Sequence, residues 1–400
     1  MRICTHAFWS FLVLCLILTA CEDSSSLLPQ PQSDLHQQDA ELGNQYPLTS
    51  STPLEASKKD QTIGVLFNVI PRENSVPLSS LYYCNLSGSC TPLYFFNSSV
   101  IASGDLSPDR QKLIVTLIEQ ETDSADLYLL NLTAGTWNRL TSDKTPKYVQ
   151  DWSQDKPEIL FISYFPNPDP APPQIPIGKL AVMNYELIEQ RELEIPCNIS
   201  KTKWLSGKDD VLFSGICEDK QGIFMWKPGE TMPQLLTSTK MTDFSLSPDR
   251  KDFIFNSIGS DGMSQIFIFN LEDSSIDPLP HVEGSKDFGG EWISPDGNEI
   301  AFVTTRFNSN SAGEVYTWDR KTDKIYPAPW KDEEYYLKSD GADLTLIGYG
   351  VSTTDHPTFT VRDEQAGNEI PLNLPIEGEV KILYFGWLPG ILIDQPITIP

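Results

Sequence analysis

The sequence predicts an all-β fold, a β-propeller of seven four-stranded blades, with six or eight blades as the alternatives. Three observations lead to this prediction. A short phrase recurs along the chain, its copies are spaced at a nearly constant interval, and the two ends of the repeating region complement each other. A repeat of roughly 40–50 residues with about four short strands is typical of a propeller blade.

The recurring phrase is a large apolar residue followed by Ser-Pro-Asp or a degraded version of it. Its serines are separated by 46, 53, 41, 47 and 45 residues, and they are Ser107, Ser153, Ser206, Ser247, Ser294 and Ser339. Proline presets φ, and aspartate can accept a hydrogen bond from the backbone two residues further on. The phrase therefore predicts a tight structural turn between the innermost strand of each blade and the next strand.

The two ends of the repeating region predict how the ring closes. Residues 62–97 contain three strand-like runs, which suit the second, third and fourth strands of a blade that lacks its first. Residues 381–390 suit an innermost strand and its turn, with no blade following. We expect these termini to pair, which completes one blade and removes the unpaired edges of an open sheet.

The phrase and the segments after it resemble a known repeat. Ser-Pro-Asp, followed by Asp-Leu-Tyr-Leu-Leu-Asn-Leu at 126–132 and Arg-Leu-Thr at 139–141, resembles the TolB-like, WD-type propeller repeat. The resemblance covers nearly all of residues 61–390 and implies the fold. It does not imply the function, because propellers carry many unrelated functions. TolB has an extra α/β domain and no lipid anchor, so its role in envelope assembly is not carried over.

The first residues predict an address in the cell envelope. An apolar run from Ala7 to Leu18, broken by Ser10, is too short to span a bilayer and is typical of a signal peptide, here residues 1–20. It ends in Leu-Thr-Ala-Cys, which resembles a bacterial lipobox. We expect Cys21 to be acylated, with an ordinary secretory signal as the alternative. Residues 21–60, rich in Ser, Pro and Gln, are predicted to be a flexible tether before the propeller domain, residues 61–400.

Cysteine usage agrees with export. Without the signal peptide and Cys21, four cysteines are left, and they allow three pairings. The sequence-local pairing, Cys84–Cys90 and Cys197–Cys217, is favoured because each pair flanks a turn or a step between strands. Free buried thiols are the alternative.

Composition and motifs exclude several functions. The chain has 55 Asp and Glu against 29 Lys and Arg, a net charge of −26, which argues against nucleic-acid binding. The motifs GxSxG, HExxH, GxGxxG and the P-loop are missing from the sequence. In the folded region, His281 and His356 fall in predicted loops and are expected to be surface residues. No catalytic residue and no cofactor is therefore predicted.

Acidic residues on the innermost strands form a candidate site. Side chains alternate along a strand, so residues just before each phrase, and those two positions earlier such as Val149, are expected to face the axial channel. Four carboxylates on these positions are the candidates for holding a cation, such as calcium, or a cationic peptide: Asp105, Asp151, Asp243 and Glu291. The alternative is a solvated channel wall.

Two further features concern packing and contact surfaces. Trp152, Trp204, Trp292 and Trp387 share one phase of the repeat and are predicted to pack between neighbouring blades. Residues 164–177 are too rich in proline for a strand and form a predicted long loop, the kind of element that often carries binding.

Together these features predict a lipid-anchored, extracytoplasmic and monomeric propeller. Its expected role is that of a non-catalytic binding or scaffold protein for a protein, peptide or glycan partner. A carbohydrate- or peptide-active enzyme, a lyase or hydrolase using the acidic channel, is one alternative. A sensor lipoprotein of a membrane complex is another.

Overall fold

The computed structural model describes most of the propeller region. The described residues are 61–71, 77–85, 87–122, 124–143, 145–167, 176–205, 209–240, 243–294, 296–306, 314–327, 335–338, 346–351, 358–363, 369–373, 378–389 and 395–399. The predicted signal peptide, Cys21 and the predicted tether lie outside them. Across the described residues, no helix has the length and hydropathy needed to cross a membrane.

Among the residues that the structure describes, six sheets each contain four antiparallel strands that follow one another in the chain. Sheet 1 contains β4 (Ser99–Leu106), β5 (Lys112–Glu119), β6 (Ala125–Asn131) and β7 (Thr136–Arg139). Sheet 2 contains β8 (Lys147–Trp152), β9 (Glu158–Phe165), β10 (Ile177–Asn184) and β11 (Glu189–Glu192). Sheet 3 contains β12 (Cys197–Trp204), β13 (Val211–Cys217), β14 (Lys220–Trp226) and β15 (Gln234–Ser238).

The other three four-stranded sheets repeat this order. Sheet 4 contains β16 (Phe244–Leu246), β17 (Asp252–Ile258), β18 (Ser264–Asn270) and β19 (Ile276–Pro278). Sheet 5 contains β20 (Asp287–Trp292), β21 (Glu299–Thr304), β22 (Glu314–Asp319) and β23 (Lys324–Pro327). Sheet 6 contains β24 (Tyr335–Lys338), β25 (Leu346–Val351), β26 (Thr358–Asp363) and β27 (Glu369–Asn373).

A composite sheet joins the two ends of the region. β1 (Gln61–Pro71) pairs antiparallel with β28 (Gly378–Pro389), and β2 (Ser79–Asn85) and β3 (Cys90–Phe96) follow. The predicted pairing of the terminal strands is thus confirmed. β29 (Ile397–Ile399), which was not predicted, adds a fifth strand parallel to β3.

The first strands of several successive sheets contact each other, as in a propeller. Such contacts join β4 to β8, β8 to β12, β16 to β20 and β24 to β28, and β28 also contacts β4. Apolar clusters lie between neighbouring sheets, because sheets 1 to 4 each bury side chains on both faces. One cluster, for example, joins Leu66 and Leu81 of the composite sheet to Leu113 and Leu130 of sheet 1.

The Ser-Pro-Asp phrase forms the turn between the first and second strands, as predicted. In sheet 1, Ser107 Oγ accepts a hydrogen bond from the Lys112 amide at 3.0 Å and donates one to Asp109 at 2.6 Å. The residue after the aspartate has a positive φ, 61° at Arg110, 57° at Arg250 and 68° at Gly297. The phrase therefore has a local structural role.

Tryptophans of the repeat link one sheet to the next. Trp152 is 2% exposed, and its Nε1 donates a hydrogen bond of 2.8 Å to the Asp105 carbonyl in sheet 1. Trp292 Nε1 donates one of 3.2 Å to the Ser245 carbonyl in sheet 4. Trp204 is equally buried, at 4% exposed, but its Nε1 has no hydrogen-bond partner. The predicted packing between sheets holds for these tryptophans.

Both predicted disulfides are present. Cys84 lies directly opposite Cys90 on β2 and β3, and Cys197 lies opposite Cys217 on β12 and β13. The sequence-local pairing is confirmed. Because disulfides persist in oxidising compartments, the two bonds indicate an extracytoplasmic location.

Trp152 donates a hydrogen bond through its ring nitrogen and Trp204 does not, so replacing each by phenylalanine should reduce stability by different amounts. Trp152→Phe removes the donor to the Asp105 carbonyl, whereas Trp204→Phe removes a buried donor that has no partner, so we expect Trp152→Phe to cost about 1–2 kcal/mol more. Trp204→Phe is the matched control, because it removes a similar ring from a similar position but breaks no hydrogen bond. Equilibrium denaturation in urea measures both. Equal losses would contradict the assigned role of the Trp152 hydrogen bond.

Candidate functional site

A cavity of about 270 Å³ lies where the innermost strands of sheets 2 to 5 converge. Its charged lining residues are Asp151 from β8, Lys201 and Lys203 from β12, Asp243 just before β16, Arg250 from the turn after β16, and Glu291 from β20. Ser245, Ser247 and Asn256 add polar groups, and Phe244, Leu246, Ile254 and Phe255 add apolar surface. The cavity thus offers groups of both charges beside apolar walls.

The inner part of the cavity is a buried ion cluster around Asp151. This carboxylate accepts hydrogen bonds from the Trp204 amide at 2.8 Å, from Arg250 at 2.9 Å and from Lys203 at 3.4 Å. Arg250 also donates to the Trp204 carbonyl at 2.6 Å. Removing one partner of such a buried cluster costs about 3–5 kcal/mol. The cluster therefore fixes the relative positions of sheets 2, 3 and 4.

Arg250 is the site residue that sequence reasoning missed. It lies in the turn after β16, outside the strand positions expected to face the channel. Its φ of 57° is in the left-handed region, where Gly297 stands in the next sheet. A non-glycine residue there costs about 1–3 kcal/mol. The arginine that follows Ser-Pro-Asp could have indicated this site residue from the sequence. The equivalent residue of sheet 1, Arg110, has the same backbone conformation but does not line the cavity, so the indication is weak.

Asp105 belongs to the same electrostatic network. Burial raises the pKa of its carboxyl to about 6; Lys203 and Arg250 oppose the shift, whereas Asp151 adds to it. Burial also disfavours the charged form of Lys203, but Asp151 and Asp105 outweigh it and raise the pKa of the ammonium. Lys203 therefore stays charged, while Asp105 titrates close to neutral pH.

The outer part of the cavity is more open. Lys201 donates a hydrogen bond of 2.5 Å to Asp243, whose side chain is 66% exposed, and its Nζ lies 5.5 Å from the centre of the Phe244 ring. Glu291 is exposed on β20. Exposed ion pairs contribute about 0–1 kcal/mol, so the Lys201–Asp243 pair can open at low cost. This part of the cavity can exchange its partners for those of a ligand.

The structure brings the four predicted carboxylates to one region. Asp151, Asp243 and Glu291 line the cavity, and Asp105 interacts electrostatically with Asp151. In the part of the chain that the structure describes, no group of three or more His, Cys, Asp or Glu side chains is placed to hold a metal ion. The cation site stays a prediction, and a cation at Asp151 would have to displace Lys203 and Arg250.

One expected channel residue faces elsewhere. Val149 is opposite Phe161 and Asp151 is opposite Leu160, because Gln150 forms a β-bulge between them. The bulge reverses the alternation, so Val149 is buried in the core while Asp151 lines the cavity. The expectation that Val149 faces the channel is therefore wrong. The predicted loop 164–177 is described only at 164–167 and 176–177, and its predicted bounds are too wide, because Tyr164 and Phe165 belong to β9 and Ile177 begins β10.

Comparisons with known proteins support the fold. No protein-family model matches the chain, and no curated protein matches its sequence. Among solved structures, TolB from Acinetobacter baumannii is 18% identical over 82% of this chain and 67% of its own, with a TM-score of 0.47. A prolyl endopeptidase is 12% identical over 82% of this chain and 51% of its own, with a TM-score of 0.53. The acylaminoacyl peptidase of Pyrococcus horikoshii is 16% identical over 74% and 48%, with a TM-score of 0.51.

These likenesses concern the fold. The chain is structurally similar to TolB-like and prolyl-oligopeptidase-type β-propellers, and it spans about half the length of the two peptidases. At these identities the likeness shows the fold alone, which does not choose between binding and catalysis.

The raised pKa of Asp105 predicts how its substitution changes stability. A carboxyl with a pKa raised on folding costs stability as the pH rises from about 4 through its folded value of about 6. We therefore expect Asp105→Asn to raise the free energy of unfolding by about 3 kcal/mol at pH 7.5 and to have little effect at pH 4. Urea denaturation at both pH values measures this. Asp277→Asn, on the exposed outer strand β19, controls for the change in net charge, and a destabilised Asp105→Asn at pH 7.5 would contradict the account.

Proposed function

We propose that this protein is an extracytoplasmic binding or scaffold propeller without catalytic activity, which holds a segment of a protein, peptide or glycan partner in its axial cavity. The supporting observation is the division of the cavity into a fixed and an open part. The Asp151 cluster supplies rigidity, and the exposed Lys201–Asp243 pair with Glu291 supplies charges that a ligand can engage. Preorganised charges give specificity, which suits recognition.

The proposal also includes a lipid anchor at Cys21 and a count of seven blades. The lipobox-like Leu18-Thr19-Ala20-Cys21 supports a lipid at Cys21, with residues 22–60 as the tether to the membrane. Counting the composite sheet with the six four-stranded sheets makes seven blades, and its contacts with β24 and β4 support that count. The ring would then present its cavity and loops at a distance from the membrane.

Catalysis has one observation in its favour. Asp105, with a pKa of about 6, lies in the range of a general acid that works near neutral pH. The described lining of the cavity, however, contains neither histidine nor cysteine, and Asp151 is already neutralised by Lys203 and Arg250. A carbohydrate- or peptide-active enzyme is therefore the second candidate.

Recovery of partners from intact membranes tests the proposal. The full-length protein should co-purify specific envelope proteins, identified by mass spectrometry, and Cys21→Ser should lose them if the anchor is needed. The double substitution Asp243→Asn with Glu291→Gln removes the two carboxylates in the outer part of the cavity. It should weaken binding of the recovered partner at least about tenfold, measured with the purified protein and the purified partner.

The matched control removes two carboxylates from the outside of sheet 2. Glu186→Gln with Glu189→Gln changes the net charge equally but affects exposed positions at the turn before β11 and on it. Binding that survives loss of Asp243 and Glu291 would contradict the cavity as the binding site. Turnover of a peptide or glycan that Asp105→Asn abolishes would favour the enzyme.

A further inference from the structure

His281 lies in a second charged cluster, away from the residues that line the axial cavity. It belongs to the connection between β19 in sheet 4 and β20 in sheet 5. Its Nδ1 is 2.6 Å from Asp287 Oδ2, and its Nε2 is 3.1 Å from Asp261 Oδ2. The side chain is 12% exposed. The expectation that His281 is a surface residue is therefore wrong, because two carboxylates hold it between two sheets.

The two carboxylates come from different parts of the fold. Asp287 begins β20 and is 0% exposed, and Arg306, after β21, donates a hydrogen bond to its Oδ2 at 3.0 Å. Asp261 lies in the hairpin loop between β17 and β18, where the amides of Met263 and Gly284 also bind it. His281 thus connects the hairpin loop of sheet 4 to the start of sheet 5.

The geometry requires a proton on each ring nitrogen. A neutral imidazole has a single N–H donor, and both neighbours of His281 are carboxylates, which accept when ionised. Only the imidazolium can donate to Asp287 and Asp261 at once. The buried Asp287 Oδ1 has no hydrogen-bond partner, so this carboxylate depends on the contacts that His281 and Arg306 make with Oδ2.

The electrostatics agree with this geometry. Burial disfavours the charged ring, but the hydrogen bonds to Asp287 and Asp261 outweigh it and raise the pKa of His281 above 6.5. Hydrogen bonds from Met263, Gly284 and His281 lower the pKa of Asp261 to about 2. On the same segment as His281, the charged residues Glu283 and Lys286 are exposed. The charged groups that contact the ring are thus the two carboxylates.

We propose that His281 is a protonation switch between sheets 4 and 5. As an imidazolium it clamps the 259–263 hairpin loop to the start of β20. When it loses a proton, Nδ1–H keeps its bond to the buried Asp287, while the Nε2 lone pair faces the Asp261 carboxylate and repels it. The hairpin loop is then released on the Asp261 side.

The clamp is physically connected to the axial cavity. Asn256 donates a hydrogen bond of 3.1 Å to the Asp287 carbonyl and accepts one of 3.1 Å from the Gly289 amide. Asn256 itself lines the cavity, and so do Gly290 and Glu291, which follow on β20. The residue that anchors His281 therefore belongs to the strand that carries Glu291 into the cavity.

The direction of the pH effect follows from the raised pKa. Below about pH 6.5 the ring is charged in both the folded and the unfolded chain, and the stabilising effect of the clamp is complete. As the pH rises through the folded-state pKa, this stabilisation is lost. The clamp is thus closed in mildly acidic surroundings and opens on the alkaline side.

Two measurements on the full chain in detergent test the switch. The ¹⁵N shifts of the histidine rings, with His281 assigned from His281→Gln, should show an imidazolium that persists above pH 6.5. Amide exchange in residues 259–263, corrected for its intrinsic pH dependence, should rise at least about tenfold as His281 deprotonates. A ring that titrates at or below pH 6.5, or corrected exchange that does not change with pH, would overturn the proposal.

Variants separate the switch from a general effect of histidine loss. His281→Gln should exchange fast in 259–263 at every pH, and His356→Gln should behave as the wild type. Asp261→Asn removes the negative charge that the neutral Nε2 would repel, but its single amide oxygen cannot accept from both the Met263 and the Gly284 amides. Exchange in 259–263 should therefore lose its pH dependence in this variant, whatever its level of protection. A pH dependence that persists in either His281→Gln or Asp261→Asn would also overturn the proposal.

Discussion

The structure depends on the pairing of β1 with β28. This pairing runs from Gln61 opposite Pro389 to Pro71 opposite Gly378, and it joins residues more than three hundred positions apart in the chain. Sheets 1 to 4 bury both faces against their neighbours, and sheet 1 does so against the composite sheet, so a ring that stayed open there would expose apolar side chains to water. The pairing of β1 with β28 completes the composite sheet, whose strand β28 contacts both β24 of sheet 6 and β4 of sheet 1. β29 covers the outer edge of β3.

Within the closed ring, buried polar contacts connect neighbouring sheets. Trp152 of sheet 2 donates a hydrogen bond to sheet 1. Arg250 and Lys203 bind Asp151 where sheets 2, 3 and 4 converge, and His281 connects sheets 4 and 5. Buried ion pairs often add little stability over apolar packing of the same volume. Their value here is that each contact permits one relative position of two sheets. The axial cavity owes its shape to these contacts.

Much of the architecture could be predicted from the sequence. The turn phrase recurs because each blade needs the same tight turn after its first strand, and the spacing reflects four strands per sheet. The complementary ends predicted the terminal pairing, and local spacing favoured both disulfides. β29 escaped prediction because three residues after Pro396 carry too little pattern to be recognised as a strand.

The site was harder to predict than the fold. Strict alternation placed Asp151 in the channel correctly but failed at Val149, because a bulge at Gln150 is invisible to a period of two. Arg250 reaches the cavity from a turn, and His281 meets Asp261 across 20 residues. Such contacts depend on where loops of different sheets meet, which composition and periodicity do not encode.

Native-state hydrogen exchange of β1 and β28 tests the central claim most directly. If their pairing closes the ring, the paired amides of residues 61–71 and 378–389 exchange only through global unfolding, with the same opening free energy as the central strands β5 and β13. Fast exchange in either terminal strand, while sheets 1 to 5 remain protected, would show that the ring is held together without this pairing and would contradict the account.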